Sequence, residues 1–323
     1  MKNTINWGIL ATGGIAKKFA TALKVVPNAQ VYAVGSRTIE QAEKFAGEYN
    51  IPKFYGTYEE LATDPDVDVI YVATPHPFHF GNTMMCLENN KGVLCEKPFA
   101  MDKSQVEQMI SLARRKNLFL MEAMWSRFIP SILKVKELID NGTIGEVIQL
   151  KSDFGMKFPY DVNGRMFNKA LGGGSLLDIG IYPVFIALFL MGMPQEIVSK
   201  AIIGQTDVDE SISIVFKYKN ALADLTSTAM VNTPIETEVY GTKGRIKIHR
   251  MWFFATEITL TMNDGEPQIM EFPHLCNGYE YEAIEVTNCL LRGETGSKVM
   301  THEMSLQLIG LLDTLREQNG IVY

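Results

Sequence analysis

Up to about residue 124, every strand-like run in this chain is apolar on both faces, and beyond about residue 145 every such run alternates. The first kind comprises "INWGILA", "QVYAVGS", "VDVIYVATP" and "GVLCEKP". Between these runs lie segments with apolar residues at i, i+3, i+4 and i+7, as at Val106, Met109, Ile110 and Ala113. A strand buried on both faces needs helices above and below it, so these runs specify a doubly wound parallel sheet. Ser104 with Glu107, and Thr57 with Glu60, have capping-box spacing. The second kind, "VIQLKSDF", "SISIVFKY", "RIKIH" and "EITLTM", shows one apolar and one polar face. In the first of these Ile148, Leu150 and Phe154 are expected to be buried. Such strands build an open, mostly antiparallel sheet.

With 323 residues the chain is long for a single core. The expected fold is an α/β N-terminal Rossmann domain over 1–124, followed by an α+β C-terminal domain over 125–323 with a large, mostly antiparallel open sheet. The second domain is expected to bind substrate and, through its exposed sheet face, to form a homodimer. A net charge of −7 lacks the basic stripe that a nucleic-acid binder shows, so no nucleic-acid partner is expected. Cys86, Cys95, Cys276 and Cys289 are scattered without metal-site spacing. They read as buried free thiols of a reducing, cytoplasmic protein. Strand-like sequence from Ile5 leaves no room for a signal peptide. The apolar stretch Leu176–Met193 contains Asp178 and Pro183, which favours a core helix over a membrane span.

Straight after the first strand comes "ATGGIAKKF". Aligned to G-x-G-x-x-A it places Ala11, Gly13 and Ala16 at the three small-residue positions, with Thr12, Gly14 and Ile15 between them. Gly13 lets the backbone approach a pyrophosphate, and the helix that follows offers free N–H groups and a positive dipole end. The second strand ends in Ser36, Arg37 and Thr38, where an NAD-preferring site places an acidic residue for the ribose hydroxyl. An arginine there fits a 2′-phosphate, so NADP is the expected cofactor ahead of NAD. The fourth strand delivers Thr74, Pro75, His76 and His79 to the same edge, as cofactor contacts or helix caps. Two histidines without an acidic or cysteine partner do not make a metal site, and no metal is expected.

The fifth strand ends in Glu96, Lys97 and Pro98, which carries Lys97 to the nicotinamide end of the crevice. The Lys97–Pro98 peptide is a candidate cis bond. Oxidising an alcohol also needs a group that takes the hydroxyl proton. In "GGGSLLDIGIYPVF" Asp178 and Tyr182 are four residues apart on one face of an otherwise apolar helix. A phenol titrates near pH 10; an ammonium about 4 Å away contributes roughly 4 kcal/mol at an effective dielectric near 20, enough to lower it by about three units. Lys97 and Tyr182 thus suit each other as a catalytic pair. Asp178 would orient Lys97 or bind substrate.

The "EKP" run, the fingerprint, "ATPHPFH" and "GGGSLLDIGIYP" resemble the glucose–fructose oxidoreductase and inositol dehydrogenase (Gfo/Idh/MocA) family along essentially the whole chain. "MEAMWSRF" at 121–128 and "NGYEYEAIEV" around Tyr279 resemble a narrower branch, the dimeric dihydrodiol dehydrogenases and NADP-dependent D-xylose dehydrogenases. The resemblance implies a catalytic role for Lys97 and an acid/base role for Tyr182. It also implies an aromatic substrate pocket from Trp125, Phe154, Trp252 and Tyr279, for each of which plain core is the alternative, and a polar contact from Arg127. The function so implied is NADP-dependent interconversion of alcohol and carbonyl on a sugar, cyclic polyol or trans-dihydrodiol. Two alternatives stand beside it: a keto-sugar reductase of the anhydrofructose type, and a non-catalytic NADPH-binding regulator, which would not need both Lys97 and Tyr182.

Overall fold

A computed structural model of the chain describes residues 3–323. Two sheets form. The first contains β1 (Ile5–Leu10), β2 (Ala29–Gly35), β3 (Lys53–Tyr55), β4 (Val69–Val72), β5 (Gly92–Glu96) and β6 (Leu120–Ala123) in the order β3-β2-β1-β4-β5-β6. All its pairings are parallel. Helices α1 (Gly14–Leu23), α2 (Ile39–Tyr49), α3 (Tyr58–Thr63), α4 (His79–Glu88) and α5 (Lys103–Lys116) make the crossovers. Every residue of β4, β5 and β6 is buried, as strands covered on both faces require.

After α6 (Pro130–Asp140), the second sheet collects β7 (Val147–Gly155), β8 (Glu196–Ile203), β9 (Asp209–Lys217), β10 (Leu222–Thr228), β11 (Thr237–Gly241), β12 (Gly244–Ile248), β13 (Glu257–Met262) and β14 (Gln268–Glu271). Its order is β14-β13-β12-β11-β7-β10-β9-β8, antiparallel except where β7 meets β10. On β9, Ile212, Ile214 and Phe216 are buried while Ser213, Val215 and Lys217 face outward. The buried face packs against α7 (Ile181–Met191) and α6. Ile148 departs from its expected place: at 44% exposure it lies outside the core, because β7 enters the covered part of the sheet only at Leu150.

The compact units follow a different division from the single break expected at 124/125. One unit contains the chain up to Trp125 together with His274–Ile309, and the other contains Ser126–Pro273 with Gly310–Tyr323. The chain returns to the first unit because α8 (Glu280–Leu291) packs on α1 and β1, where the Trp7 indole N–H donates to Thr287 Oγ1 at 3.3 Å. The last helix is α9 (His302–Asn319).

The Thr57–Glu60 capping box forms with both hydrogen bonds in place. Ser104 is not a cap: Asp102 takes that position on α5 and accepts from the Gln105 backbone at 2.9 Å. Among the described residues one helical stretch, Lys169–Met191, is long and apolar enough to cross a membrane, and 94% of its most apolar window is buried inside the protein. All four cysteines are free; Cys86, Cys95 and Cys289 are buried, whereas Cys276 is exposed, contrary to expectation, in the loop before α8.

Candidate functional site

The fingerprint loop turns at Ala11, whose φ is +88°, so alanine stands where the backbone conformation favours glycine. The Ala11 N–H is held by Gly35 O at 2.9 Å, which ties the turn between β1 and α1 to the end of β2. Gly13 is the N-cap of α1 and supplies no side-chain cap, and the first turn holds no acidic residue. By contrast α2, α3 and α5 are capped by Thr38, Thr57 and Asp102. A methyl group added at Gly13 or Gly14 would meet nothing within 4 Å. The start of α1 is therefore uncapped by a side chain and open around its two glycines, which suits the approach of a pyrophosphate.

At the end of β2 the Ser36 hydroxyl donates to Gln41 Oε1 at 3.1 Å and lies 3.4 Å from Thr12 Oγ1. Thr38 caps α2, accepting from Gln41 N–H. Arg37 is exposed, with no acidic neighbour in sequence before Glu40. These residues fit a phosphorylated ribose.

The turn that carries Lys97 is gripped on every side. Its Lys97–Pro98 peptide is cis. The Lys97 backbone N–H donates to Glu96 Oε2 at 3.2 Å. Pro98 O lies 2.7 Å from His79 Nδ1, and the other ring nitrogen of His79 lies 2.8 Å from Thr74 O. Phe99 N–H donates to Glu122 Oε1 at 3.0 Å, while Cys95 Sγ–H reaches Phe99 O at 3.6 Å. His79 is fully buried with both ring nitrogens engaged by carbonyls. It ties the β4 and β5 loops together instead of presenting a nitrogen to the crevice. His76 is also buried, its ring 5.7 Å from that of His79. Thr74 Oγ1 accepts from Asn82 at 3.0 Å. Among the described residues no group of three or more His, Cys, Asp or Glu could hold a metal ion.

Behind the Lys97 turn lie three buried carboxyl groups. Glu96 accepts a short bond from the Tyr71 hydroxyl, which burial and the Glu96 charge hold well above the usual phenol range. Burial pushes Glu122 up to about 7 and Glu282 well above the ordinary carboxyl range, and repulsion from Glu96 adds to both.

In the same unit the ring of Trp125 stacks on that of Tyr279, with centroids 4.0 Å apart and planes 7° from parallel. Glu280 holds the loop before Tyr279 by accepting from the backbone of Cys276, Asn277 and Gly278 at 2.7–3.0 Å.

Tyr182 belongs to the second unit. It lies in the first turn of α7, just after a single π-helical turn, Leu176–Gly180, a feature that concentrates at functional sites. This turn is anchored by the buried Asp209, which accepts from Leu176 N–H at 2.6 Å and from the Ser175 hydroxyl at 2.9 Å. The Tyr182 ring is 6% exposed and framed by Phe253 at 5.0 Å, Phe154 at 5.6 Å and Trp252 at 6.5 Å. Phe154 and Phe253 stack at 4.6 Å. Trp252 is fully buried, its indole N–H donating to Asp153 O at 3.0 Å. Asp178 pairs with Arg165, whose Nη2 lies 2.8 Å from both carboxylate oxygens. Phe158, Met166 and Phe167 join this pair around a cavity of about 290 Å³. Arg127 lies over the Phe189 ring at 4.1 Å.

The expected site residues therefore fall into two groups. Ala11–Ile15, Ser36–Thr38, Thr74–His79 and Glu96–Lys97 gather at one edge of the parallel sheet, with Trp125 and Tyr279 in the same unit. Arg127, Phe154, Asp178, Tyr182 and Trp252 belong to the other unit. Arg165, Glu122 and Phe253 were not singled out from the sequence. Phe253 follows Trp252 directly, and Glu122 lies within "MEAMWSRF", so only Arg165 carried no local signal.

Residues 5–124 match the profile described as "Oxidoreductase family, NAD-binding Rossmann fold", and residues 132–247 match the GFO/IDH/MocA C-terminal domain. The chain belongs to the GFO/IDH/MocA oxidoreductase family. Within it, a trans-1,2-dihydrobenzene-1,2-diol dehydrogenase of Xenopus laevis is 41% identical over 98% of both chains. The Homo sapiens protein of that name is 34% identical over 99% of this chain and 98% of its own. Two solved structures share the fold with a TM-score of 0.89. One is a 3-ketoreductase of Actinomadura kijaniata in complex with NADP and TDP-benzene, 26% identical over 98% of both chains. The other is an aldose-aldose oxidoreductase of Caulobacter crescentus complexed with glycerol, 25% identical over 98% of this chain and 97% of its own.

Proposed function

We propose that this oxidoreductase uses NADP to interconvert an alcohol and a carbonyl on a trans-dihydrodiol, an aldose or a cyclic polyol. The observation that carries the reading is the buried phenol of Tyr182 inside an aromatic frame, in a chain similar over its full length to dihydrodiol dehydrogenases. Aromatic faces suit the apolar side of a six-membered ring, and a phenol is a usable proton carrier once a cation lowers its pKa.

When bound, the nicotinamide supplies the redox half of the reaction, a hydride acceptor or donor. The N–H groups that follow Gly13 would hold its pyrophosphate, and Ser36, Arg37 and Thr38 its phosphorylated ribose. In this reading Tyr182 takes the proton from the substrate hydroxyl during oxidation and returns it to the carbonyl oxygen during reduction. Lys97 is the cation this reading assigns to the reaction, and the hydrogen bonds of Pro98 O and Phe99 N–H hold the backbone of its turn in place. Asp178, held by Arg165, acts as an acceptor for a substrate hydroxyl. The similarity to a 3-ketoreductase solved with NADP favours a second reading, reduction of a keto-sugar by the same residues run in reverse.

The reading also includes a cytoplasmic homodimer joined through the open face of the second sheet. Support comes from Val198, Ile202, Val215 and Leu222, which leave apolar side chains exposed on adjacent strands. An Ile202→Lys variant that sediments as the wild-type species does would count against that interface.

The test of function is the formation of NADPH with a panel of dihydrodiols, pentoses and hexoses. Lys97→Met and Tyr182→Phe are each expected to lose about 10²- to 10⁴-fold in turnover; full activity in either variant would sink the assignment. Arg37→Ala should raise the KM for NADP far more than that for NAD.

A further inference from the structure

We propose that Ser126 and Ser131 are positioning residues that determine specificity: their hydroxyls pin the short aromatic turn Trp252–Phe254 beside Tyr182, so that the site prefers a ring with an apolar face to an open-chain alcohol. This rests on the reading of Tyr182 as the proton carrier for a ring substrate. Ser126 lies in the "MEAMWSRF" run and Ser131 in the first turn of α6, and both are fully buried. The Ser126 hydroxyl donates to Phe253 O at 2.8 Å, and the Ser131 hydroxyl donates to Ala255 O at 2.6 Å. A third hold comes from β7, where Asp153 O accepts the Trp252 indole N–H at 3.0 Å. The Asp153 carboxylate in turn accepts from the backbone N–H groups of Ile235 and Glu236 at 2.8 and 3.0 Å. Ile235 O then meets the Trp252 backbone N–H at 3.5 Å.

The turn needs such holding because it has little of its own. Phe254 N–H donates to Met251 O at 3.0 Å and Ala255 N–H to Trp252 O at 3.3 Å, the bonds of a single 3₁₀ turn. So short a helix has poor hydrogen-bond geometry and no length over which to become cooperative. The chain enters it through Met251 at a φ of +59°, and the Ile235 that meets it has a φ of +56°. That left-handed backbone is unfavourable for methionine and more so for a buried β-branched side chain. It persists only where the surroundings over-determine it, and such places cluster at ligand sites. What the turn delivers is the wall of the site: Phe253 stacks on Phe154, and both Phe253 and Trp252 face the Tyr182 ring. A wall held in one place binds the ring that fits it without a further ordering cost, whereas one free to recede loses that advantage.

Ser126→Ala and Ser131→Ala each remove one hydroxyl and little else. The probes are trans-1,2-cyclohexanediol for a ring and glycerol for an open chain, titrated by ligand-observed NMR into the NADPH-loaded protein, whose reduced cofactor cannot oxidise them. The wild type is expected to bind the ring more tightly. Each variant should lose about three- to tenfold of that preference, the equivalent of one net hydrogen bond, while glycerol and NADPH bind as before. With cyclic substrates the loss should fall on KM more than on kcat. A wild type without the preference, or variants that melt as folded proteins and keep it in full, would overturn the proposal. The serines lie on different elements, so if one variant fails to fold the other decides. A preference lost as expected in a protein inactive on every substrate would instead sink the enzymatic reading and leave the pinned wall standing.

Discussion

His79 Nδ1 lies 2.7 Å from Pro98 O, which joins the start of α4 to the turn at the end of β5. The same ring reaches Thr74 O at 2.8 Å, so one buried side chain braces two loops of the crevice. His79→Phe keeps the ring's bulk and strands both carbonyls. At about 1–3 kcal/mol for each unsatisfied buried group, two such groups are expected to cost the variant roughly 2–6 kcal/mol of stability. Thermal and urea unfolding would register that loss, together with a drop in turnover because Lys97 immediately precedes Pro98. A variant as stable as the wild type would show that the brace is dispensable.

Gly13 allows the cofactor's role to be separated from the fold's. Its φ of −72° and ψ of −178° are open to any residue, and a methyl group there meets nothing within 4 Å. Gly13→Ala is therefore expected to unfold within about 0.5 kcal/mol of the wild type, as harmless surface changes do. The same methyl would stand where a pyrophosphate must approach the backbone, so the dissociation constant for NADPH should rise about tenfold or more. Calorimetric titration beside a melting curve measures both. Unchanged binding would move the pyrophosphate away from α1.

The Arg165–Asp178 pair gives a prediction about chemistry more than about stability. The arginine side chain is 51% exposed and the aspartate 9%, so solvent screens the pair and its net worth is about 1 kcal/mol or less. Arg165→Met should therefore melt close to the wild type. Its Asp178 carboxylate would lose the partner that touches both oxygens, and with it that part of the hold on its orientation. The expected result is a fall in turnover of about tenfold or more, partly restored in Arg165→Lys. Equal kinetics in all three proteins would remove Asp178 from the working site.

Both sheets were legible because their strands bury different numbers of faces: "VIYV" in β4 has no polar side, whereas β9 alternates residue by residue. Two strands of the parallel sheet, Lys53–Tyr55 and Leu120–Ala123, were not picked out by pattern; the first is only three residues long. Ala11 departs from the fingerprint in sequence, yet its positive φ shows that the backbone keeps the glycine conformation, so the motif survives its own exception. The roles of His79, Glu122 and Arg165 could not be read from spacing. Each acts on a residue at least 13 positions away, and that distance is closed only by the tertiary fold. The return of 274–309 to the first unit was hidden for the same reason, since helix α8 has no local mark of the strand it covers.

Glu282 should reveal itself in the pH dependence of stability. It is fully buried, and neither carboxyl oxygen has a hydrogen-bond partner, so burial, helped by repulsion from Glu96, holds it well above its ordinary range. A carboxyl raised in the folded state binds a proton there at pH values where the unfolded chain has already released it. The folded state then carries more protons than the unfolded state, and stability falls as pH rises through that window. Glu122 acts in the same direction from its ordinary 4.5 to about 7, an interval worth about 3 kcal/mol. Glu282→Gln removes one of these slopes, and Glu282→Met also removes an unsatisfied polar group costing about 1–3 kcal/mol. Both variants are expected to match or exceed the wild type, with a margin in melting temperature that widens from mildly acidic to alkaline buffer. A margin that stays constant or shrinks as pH rises would mean that Glu282 is ionised in the folded protein and has found a partner.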